Sequence, residues 1–148
     1  MTASQSDSVR GGGRATGGLP DLSVAPQPVA GHGLLTGRTA VITAAAGTGI
    51  GSATARRLLA EGADVVVSDW HERRLAETEV ELKGEFPDRR VAAIACDVQS
   101  TEQVNALVRG AAAALGRVDI MVNNAGLGGE TPVVDMTDEQ WDRVLDIT

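Results

Sequence analysis

The chain has 148 residues, a formal net charge of -7 and a pI near 4.7, a balance that holds it to one soluble domain and argues against nucleic acid or an anionic membrane as partner. Its single cysteine, Cys96, excludes an intramolecular disulfide and points to a reducing cytoplasm, and no apolar run approaches the roughly 20 residues of a membrane-spanning helix. Tyrosine is absent and Lys83 is the only lysine, so no chemistry of this chain can rest on a phenol.

Residues 1–35, opening MTASQSDSVRGGGRATGGLP, are rich in Gly, Ser and Pro with no periodic apolar pattern. That composition offers too little buryable surface to fold, and it predicts a disordered tail. LSVA, broken off by prolines, is too short for the apolar core of about 7 to 15 residues that a secretory signal needs. Arg10 and Arg14 suit a transit peptide, but Asp7 and Asp21 count against one.

From Arg38 the pattern changes to short β-branched runs alternating with longer helical stretches, as in parallel strands joined by crossover helices. TAVIT (39–43), ADVVVSD (63–69), RVAAIAC (90–96) and VDIMVNN (118–124) read as strands. GIGSATARRLLAEG (49–62), HERRLAETEVELKG (71–84) and STEQVNALVRGAAAALG (100–116) carry apolar residues at helical spacing. Ser100 with Gln103, and Thr137 with Gln140, predict capping boxes, the second opening a fourth helix that runs toward Thr148.

Right-handed crossovers between such strands build an α/β fold with a Rossmann-like, doubly wound parallel sheet, here truncated after the fourth helix. In the common order its first and fourth strands are neighbours. The crevice at their carboxyl ends would then be lined by AAAGTGIG after the first strand and NNAGLGGE after the fourth. The glycines at 47, 49 and 51 let a backbone and a helix N-terminus meet a pyrophosphate, so a dinucleotide is the natural ligand. The spacing is GxGxG rather than GxGxxG, and a structural turn with tight helix packing explains the glycines equally well. Asp69, eighteen residues after Gly51 at the end of the second strand, can accept hydrogen bonds from both hydroxyls of an adenosine ribose and repel a 2′-phosphate. Arg73 and Arg74 could hold that phosphate instead, or form a solvated helix face with Glu72 and Glu77. No metal-ligand cluster is evident.

The order of GTGIG, the Asp69 strand end, CDV at 96–98 and DIMVNNAG at 119–126 resembles the short-chain dehydrogenase/reductase family over residues 36–148, NNAG being the most specific element. The resemblance implies that Gly47, Gly49, Ile50 and Gly51 hold the pyrophosphate of NAD and that Asp69 takes the adenosine ribose. Trp70 would lie near the adenosine, and Asp97 and Val98 at the adenine. Asn123 would support the central strand, with Ala125 and Gly126 passing beside the nicotinamide-side ribose. TAAAGTGIGSATA, SDWHERRL and NNAGLGGETPV are further similar to reductases of bacterial sterol-ring degradation, which act on bulky alicyclic coenzyme A thioesters.

Three departures qualify the resemblance. Against the family's TGxxxGxG, counting back from Gly51 puts Ala44 and Ala45 at the first two positions, unless one residue is inserted and Thr43 and Ala44 fill them. Either way alanine replaces the first glycine, which is acceptable if the backbone stays at negative φ. Thr148 stands where the family's fourth helix delivers an asparagine. The family's catalytic serine and YxxxK pair would lie downstream, so no catalytic residue falls within this chain.

The sequence therefore reads as the amino-terminal, NAD-binding half of a cytoplasmic oxidoreductase interconverting a secondary alcohol and a ketone. It is expected to be inactive alone and, by family, to be part of a homo-oligomer when complete. Two other readings stand beside it: a non-catalytic nucleotide-binding module, and an S-adenosylmethionine-dependent methyltransferase, which NNAG argues against.

Overall fold

A computed structural model describes residues 29–128 and 131–148. Most of the expected tail, and Gly129 and Glu130 of the loop after the fourth strand, lie outside the described residues. The elements follow in the order β1 Thr39–Ile42, α1 Ile50–Ala60, β2 Asp64–Asp69, α2 Glu72–Glu85, β3 Val91–Ala95, α3 Thr101–Leu115, β4 Ile120–Val122 and α4 Asp138–Ile147, with a 3-10 turn at Val133–Asp135 before α4.

All strands are parallel and run in the order β3-β2-β1-β4, so β1 lies between β2 and β4 as the expected topology requires. Alternation along the strands sends side chains to opposite faces. Ala40, Ile42, Val65, Val67 and Val91 pack with Ala55 and Leu59 of α1 and with Leu75 and Leu82 of α2. Val41 and Val66 pack with Leu107, Ala111 and Leu115 of α3. The sheet is thus covered on both faces, which suits the β-branched runs of β1 and β2. No helix among the described residues is long and apolar enough to cross a membrane.

Helix ends follow the capping chemistry with one difference. Thr137 and Gln140 form the full reciprocal box at α4. At α3, Ser100 accepts from the Gln103 N–H, but the Gln103 Oε1 accepts from the Asp97 N–H at 2.9 Å instead of turning back to Ser100. The Ser100 N–H is already taken by the Asp97 carbonyl at 3.0 Å, so the glutamine braces the loop after β3.

Composition assigns residues 29–35 to the tail, yet this stretch is tied to the end of α1. The buried Glu61 carboxylate accepts from the N–H groups of His32 at 2.8 Å and Leu34 at 3.2 Å, and the Leu35 N–H bonds the Glu61 carbonyl. At the start of β1, Asp119 closes a contact between residues 80 positions apart, accepting from the Thr39 N–H at 3.0 Å and from Arg117.

These two carboxylates predict an acid-sensitive fold. The His32 N–H is the main cause holding Glu61 below its ordinary value. Burial works to raise Asp119, but bonds from Thr39 and Arg117 outweigh it and the carboxyl lies low. A carboxyl lowered in the folded state contributes stability fully present above its unfolded value, and that contribution is lost as pH falls through the folded value. Urea midpoints should therefore drop on acidification through the carboxylate range, and Asp119→Asn should flatten that slope. An unchanged slope in Asp119→Asn would remove Asp119 from the account.

Candidate functional site

The loop after β1 is held by three consecutive N–H groups. Ala45 donates to the Ser68 carbonyl at 2.9 Å, Ala46 to the Asp69 Oδ2 at 3.2 Å, and Gly47 to the Thr78 Oγ1 at 3.0 Å. The loop then enters α1 through Gly49, an N-cap without a side-chain cap bond, and the first turn of α1 has no acidic residue. An uncapped, uncrowded helix start leaves N–H groups and the positive end of the helix dipole for an anion.

Gly51 is required by close approach. A Cβ there would lie 2.5 Å from the Ala44 carbonyl oxygen, 2.7 Å from the Asn124 Nδ2 and 3.0 Å from the Ala45 Cα. The same region decides between the two alignments of the glycine motif. Ala44 is at φ 49, the one non-glycine residue with positive φ among the described residues. Positive φ is where glycine is favoured, which supports the alignment that puts Ala44 at the motif's first glycine, with Thr43 before it and one residue inserted. The condition that this alanine keep negative φ is not met. Ala44→Gly should accordingly stabilise the fold: relief of about 1 to 2 kcal/mol in the left-handed region exceeds the entropy cost of about 0.5 to 1 kcal/mol for a glycine. A higher urea midpoint at constant slope is the expected result, and a lower midpoint would show that the alanine is not strained.

Two hydrogen-bond sets join this loop to the one after β4. The Thr43 Oγ1 accepts from the N–H groups of Asn124 at 2.9 Å and Ala125 at 3.0 Å. The Asn124 Nδ2 donates to the carbonyls of Thr43 and Ala44, both at 3.1 Å. The asparagine that ties the central strands together is therefore Asn124, whereas the sequence reading gave that support to Asn123. Asn123 lines a different recess of about 230 Å³ with Thr43, Val98, Ile147 and Thr148. Neighbouring residues at a strand end point to opposite faces, so only the register of β4 on β1, with Val122 opposite Ile42, says which asparagine turns inward. Thr148 reaches the same loop, its Oγ1 accepting from the Leu127 N–H at 3.4 Å.

At the carboxyl ends of the strands lies a cavity of about 410 Å³. It gathers Asp69 at the end of β2 with Trp70 just after it, Asp97 and Val98 from the loop after β3, and Ala125 and Gly126 from the loop after β4. Asp69 is buried and already structural: its Oδ1 accepts from the His71 N–H at 3.0 Å while its Oδ2 holds Ala46. Each carboxylate oxygen retains acceptor capacity. Asp97 accepts from the Gln99 N–H at 3.0 Å. Trp70 is exposed at the cavity mouth, and the Cys96 thiol is pushed up by burial and by Asp97.

The glycine turn does not line this cavity. Gly47 opens onto a separate recess of about 370 Å³ with Thr48, Ser52, Arg56 and Arg74, and Ile50 is exposed. Arg73 is paired with Glu77 at 2.9 Å, so of the two arginines after β2 only Arg74 faces the recess.

Comparison with known proteins places this geometry. The family described as short chain dehydrogenase matches residues 38–148. The chain is 65% identical over 128 residues to the (5R,7aS)-5-hydroxy-7a-methyl-1-oxo-2,3,5,6,7,7a-hexahydro-1H-indene-carboxyl-CoA reductase of Mycobacterium tuberculosis, covering 86% of this chain and 48% of the relative. A short chain dehydrogenase from Mycobacterium smegmatis superposes with a TM-score of 0.81 at 62% identity, over 86% of this chain and 53% of that one. A short chain dehydrogenase/reductase from Burkholderia phymatum in complex with NAD gives 0.70 at 32% identity, over 77% and 40% of the two chains. L-sorbose reductase from Gluconobacter frateurii, complexed with NADPH and L-sorbose, gives 0.70 at 36%, over 78% and 43%. The chain spans about half the length of the curated relatives it matches. These matches set aside the methyltransferase reading. With its parallel sheet, its glycine turn and its Asn124-linked loops, the chain belongs to the short-chain dehydrogenase family.

Proposed function

We propose that this chain is the NAD-binding part of an oxidoreductase that interconverts a secondary alcohol and a ketone on a bulky, ring-bearing coenzyme A thioester. The observation that carries the reading is the cavity at the strand ends, which gathers Asp69, Asp97, Val98, Ala125 and Gly126 beside a helix start with no side-chain cap. The substrate class rests on the 65% identity to a reductase whose name describes such a thioester.

The residues fit a dinucleotide. No atom outside the glycine and its chain neighbours lies within 4 Å of where a Cβ would stand on Gly47 or Gly49, which leaves room for a pyrophosphate to approach Gly47, Gly49, Ile50 and Gly51. Asp69 offers lone pairs to the adenosine ribose. Trp70, Asp97 and Val98 form the walls of the adenosine end. Ala125 and Gly126 pass the nicotinamide-side ribose, with Asn124 fixing their loop and Thr148 bracing it. A bound dinucleotide supplies or accepts a hydride at its nicotinamide ring, and the work of these residues is to bind and orient it. The family's general acid–base phenol is not supplied by these 148 residues, which contain no tyrosine.

Trp70 and Trp141 are the two tryptophans. In Trp141→Phe, Trp70 alone reports on the cavity, and NADH should quench its emission saturably with one-to-one stoichiometry in parallel calorimetry. Emission and heat that both stay flat would overturn the reading.

A further inference from the structure

The buried stripe of α2 is Leu75, Thr78 and Leu82, so a hydroxyl stands where helical periodicity calls for an apolar side chain. Thr78 is 2% exposed, and a hydroxyl buried that far needs a hydrogen-bond partner. The Oγ1 accepts from the Gly47 N–H at 3.0 Å. Gly47 is at φ 82, in the turn that carries one residue more than the family's motif. An extra residue in a glycine-rich turn would ordinarily leave its path loosely specified, because glycine has many backbone states to choose from. Here the turn is fixed on both sides: Ala46 to Asp69 of β2, and Gly47 to Thr78 of α2.

We propose that Thr78 is a positioning residue for the dinucleotide: its hydroxyl seats the lengthened glycine turn against α2, so that the segment from Thr48 to Gly51 is held at a fixed place relative to Asp69. This rests on the dinucleotide reading above. With the N–H groups of Ala45, Ala46 and Gly47 all committed to the protein, the donors left for a pyrophosphate begin at Thr48. Preorganised donors bind more tightly than donors that must first be ordered.

Three variants separate position from packing. Thr78→Val keeps the shape and removes the hydroxyl, Thr78→Ser keeps the hydroxyl and trims a methyl, and Thr78→Ala removes the hydroxyl without adding volume. NADH affinity by calorimetry should fall about fivefold to tenfold in Thr78→Val and Thr78→Ala, the loss expected for one hydrogen bond. Thr78→Ser should stay within about twofold of wild type, since it keeps that bond. The Gly47 amide, hydrogen-bonded in wild type and Thr78→Ser, should exchange faster with solvent in the other two.

Unchanged affinity in Thr78→Val, or a loss in Thr78→Ser as large as in Thr78→Val, would overturn the positioning role. Should Thr78→Val fail to fold, Thr78→Ala carries the same comparison. A wild-type Gly47 amide exchanging as fast as an exposed turn overturns the proposal without any variant. A wild type that binds no NADH overturns the dinucleotide reading and the positioning role together, whereas wild-type binding with an indifferent Thr78→Val overturns the positioning role alone.

Discussion

Gly51→Ala should abolish NADH binding and lower stability by about 1 to 3 kcal/mol, the cost of forcing extra volume into a packed site. The direction is informative, because an alanine replacing a glycine inside a helix normally stabilises it by about 1 kcal/mol. At Gly51 the new methyl would meet the Ala44 carbonyl oxygen at 2.5 Å and the Asn124 Nδ2 at 2.7 Å. Neither can withdraw freely. Asn124 donates to that carbonyl and to Thr43, and Ala44 already sits at φ 49. The loops after β1 and β4 would have to separate, and the binding crevice lies between them. Gly84→Ala in α2 is the control: apart from its chain neighbours and the backbone of its own helix turns, no atom lies within 4 Å of its Cβ position, so it should stabilise by about 0.5 to 1 kcal/mol. Urea denaturation of the two variants should give shifts of opposite sign. A Gly51→Ala protein as stable as wild type would mean that the two loops are not in the contact described.

Wild-type protein should prefer NADH to NADPH, and Asp69→Asn should lose most of that preference. The buried carboxylate can accept charge-assisted hydrogen bonds from the ribose hydroxyls, each worth about 1.5 to 3 kcal/mol. It also opposes a 2′-phosphate as a like charge. Removing its charge weakens NADH and relieves NADPH, and Arg74, facing the neighbouring recess, is left to attract the phosphate. A full truncation would confuse this test. Asp69 also holds the N–H groups of Ala46 and His71, so Asp69→Ala would orphan two backbone donors and cost about 1 to 3 kcal/mol of stability. The asparagine removes the charge and keeps one oxygen acceptor, so it leaves one of those two backbone donors unpaired instead of both. Equal wild-type affinities for the two cofactors, or an Asp69→Asn protein that keeps the full preference, would confine this aspartate to bracing the loop.

Strands and helices were legible because their periodicities differ. The runs TAVIT and DVVVS read as buried parallel strands, and Leu75 with Leu82, or Leu107 with Ala111 and Leu115, mark single helix faces. The order of β1 and β4 followed from topology alone. What stayed hidden depended on register and on local backbone choice. Nothing in the adjacent pair Asn123 and Asn124 says which one turns toward β1 until Val122 is set opposite Ile42. The strain at Ala44 is invisible because alanine is ordinary at negative φ, and only the inserted residue downstream hinted at a change of path. Thr78 interrupts the apolar stripe of α2, and no local sequence pattern marks its partner, an N–H 31 residues earlier in the chain. Spacing pairs Gln103 with Ser100, and half of that box forms, but the Gln103 side chain accepts from the Asp97 N–H because the Ser100 N–H is already bonded to the Asp97 carbonyl.

The central claim is that the loops after β1 and β4, with Asp69 at the end of β2 on the other side of β1, form one dinucleotide site. Amide-resolved NMR of the 148-residue chain titrated with NADH tests it most directly. The account predicts saturable shifts at Thr48 to Gly51, Asp69, Asp97, Val98, Ala125 and Gly126, with the amides of α4's outer face and of the Glu61 contact unmoved. Shifts that leave the glycine turn and Asp69 untouched, or no saturable shift at all, would contradict it.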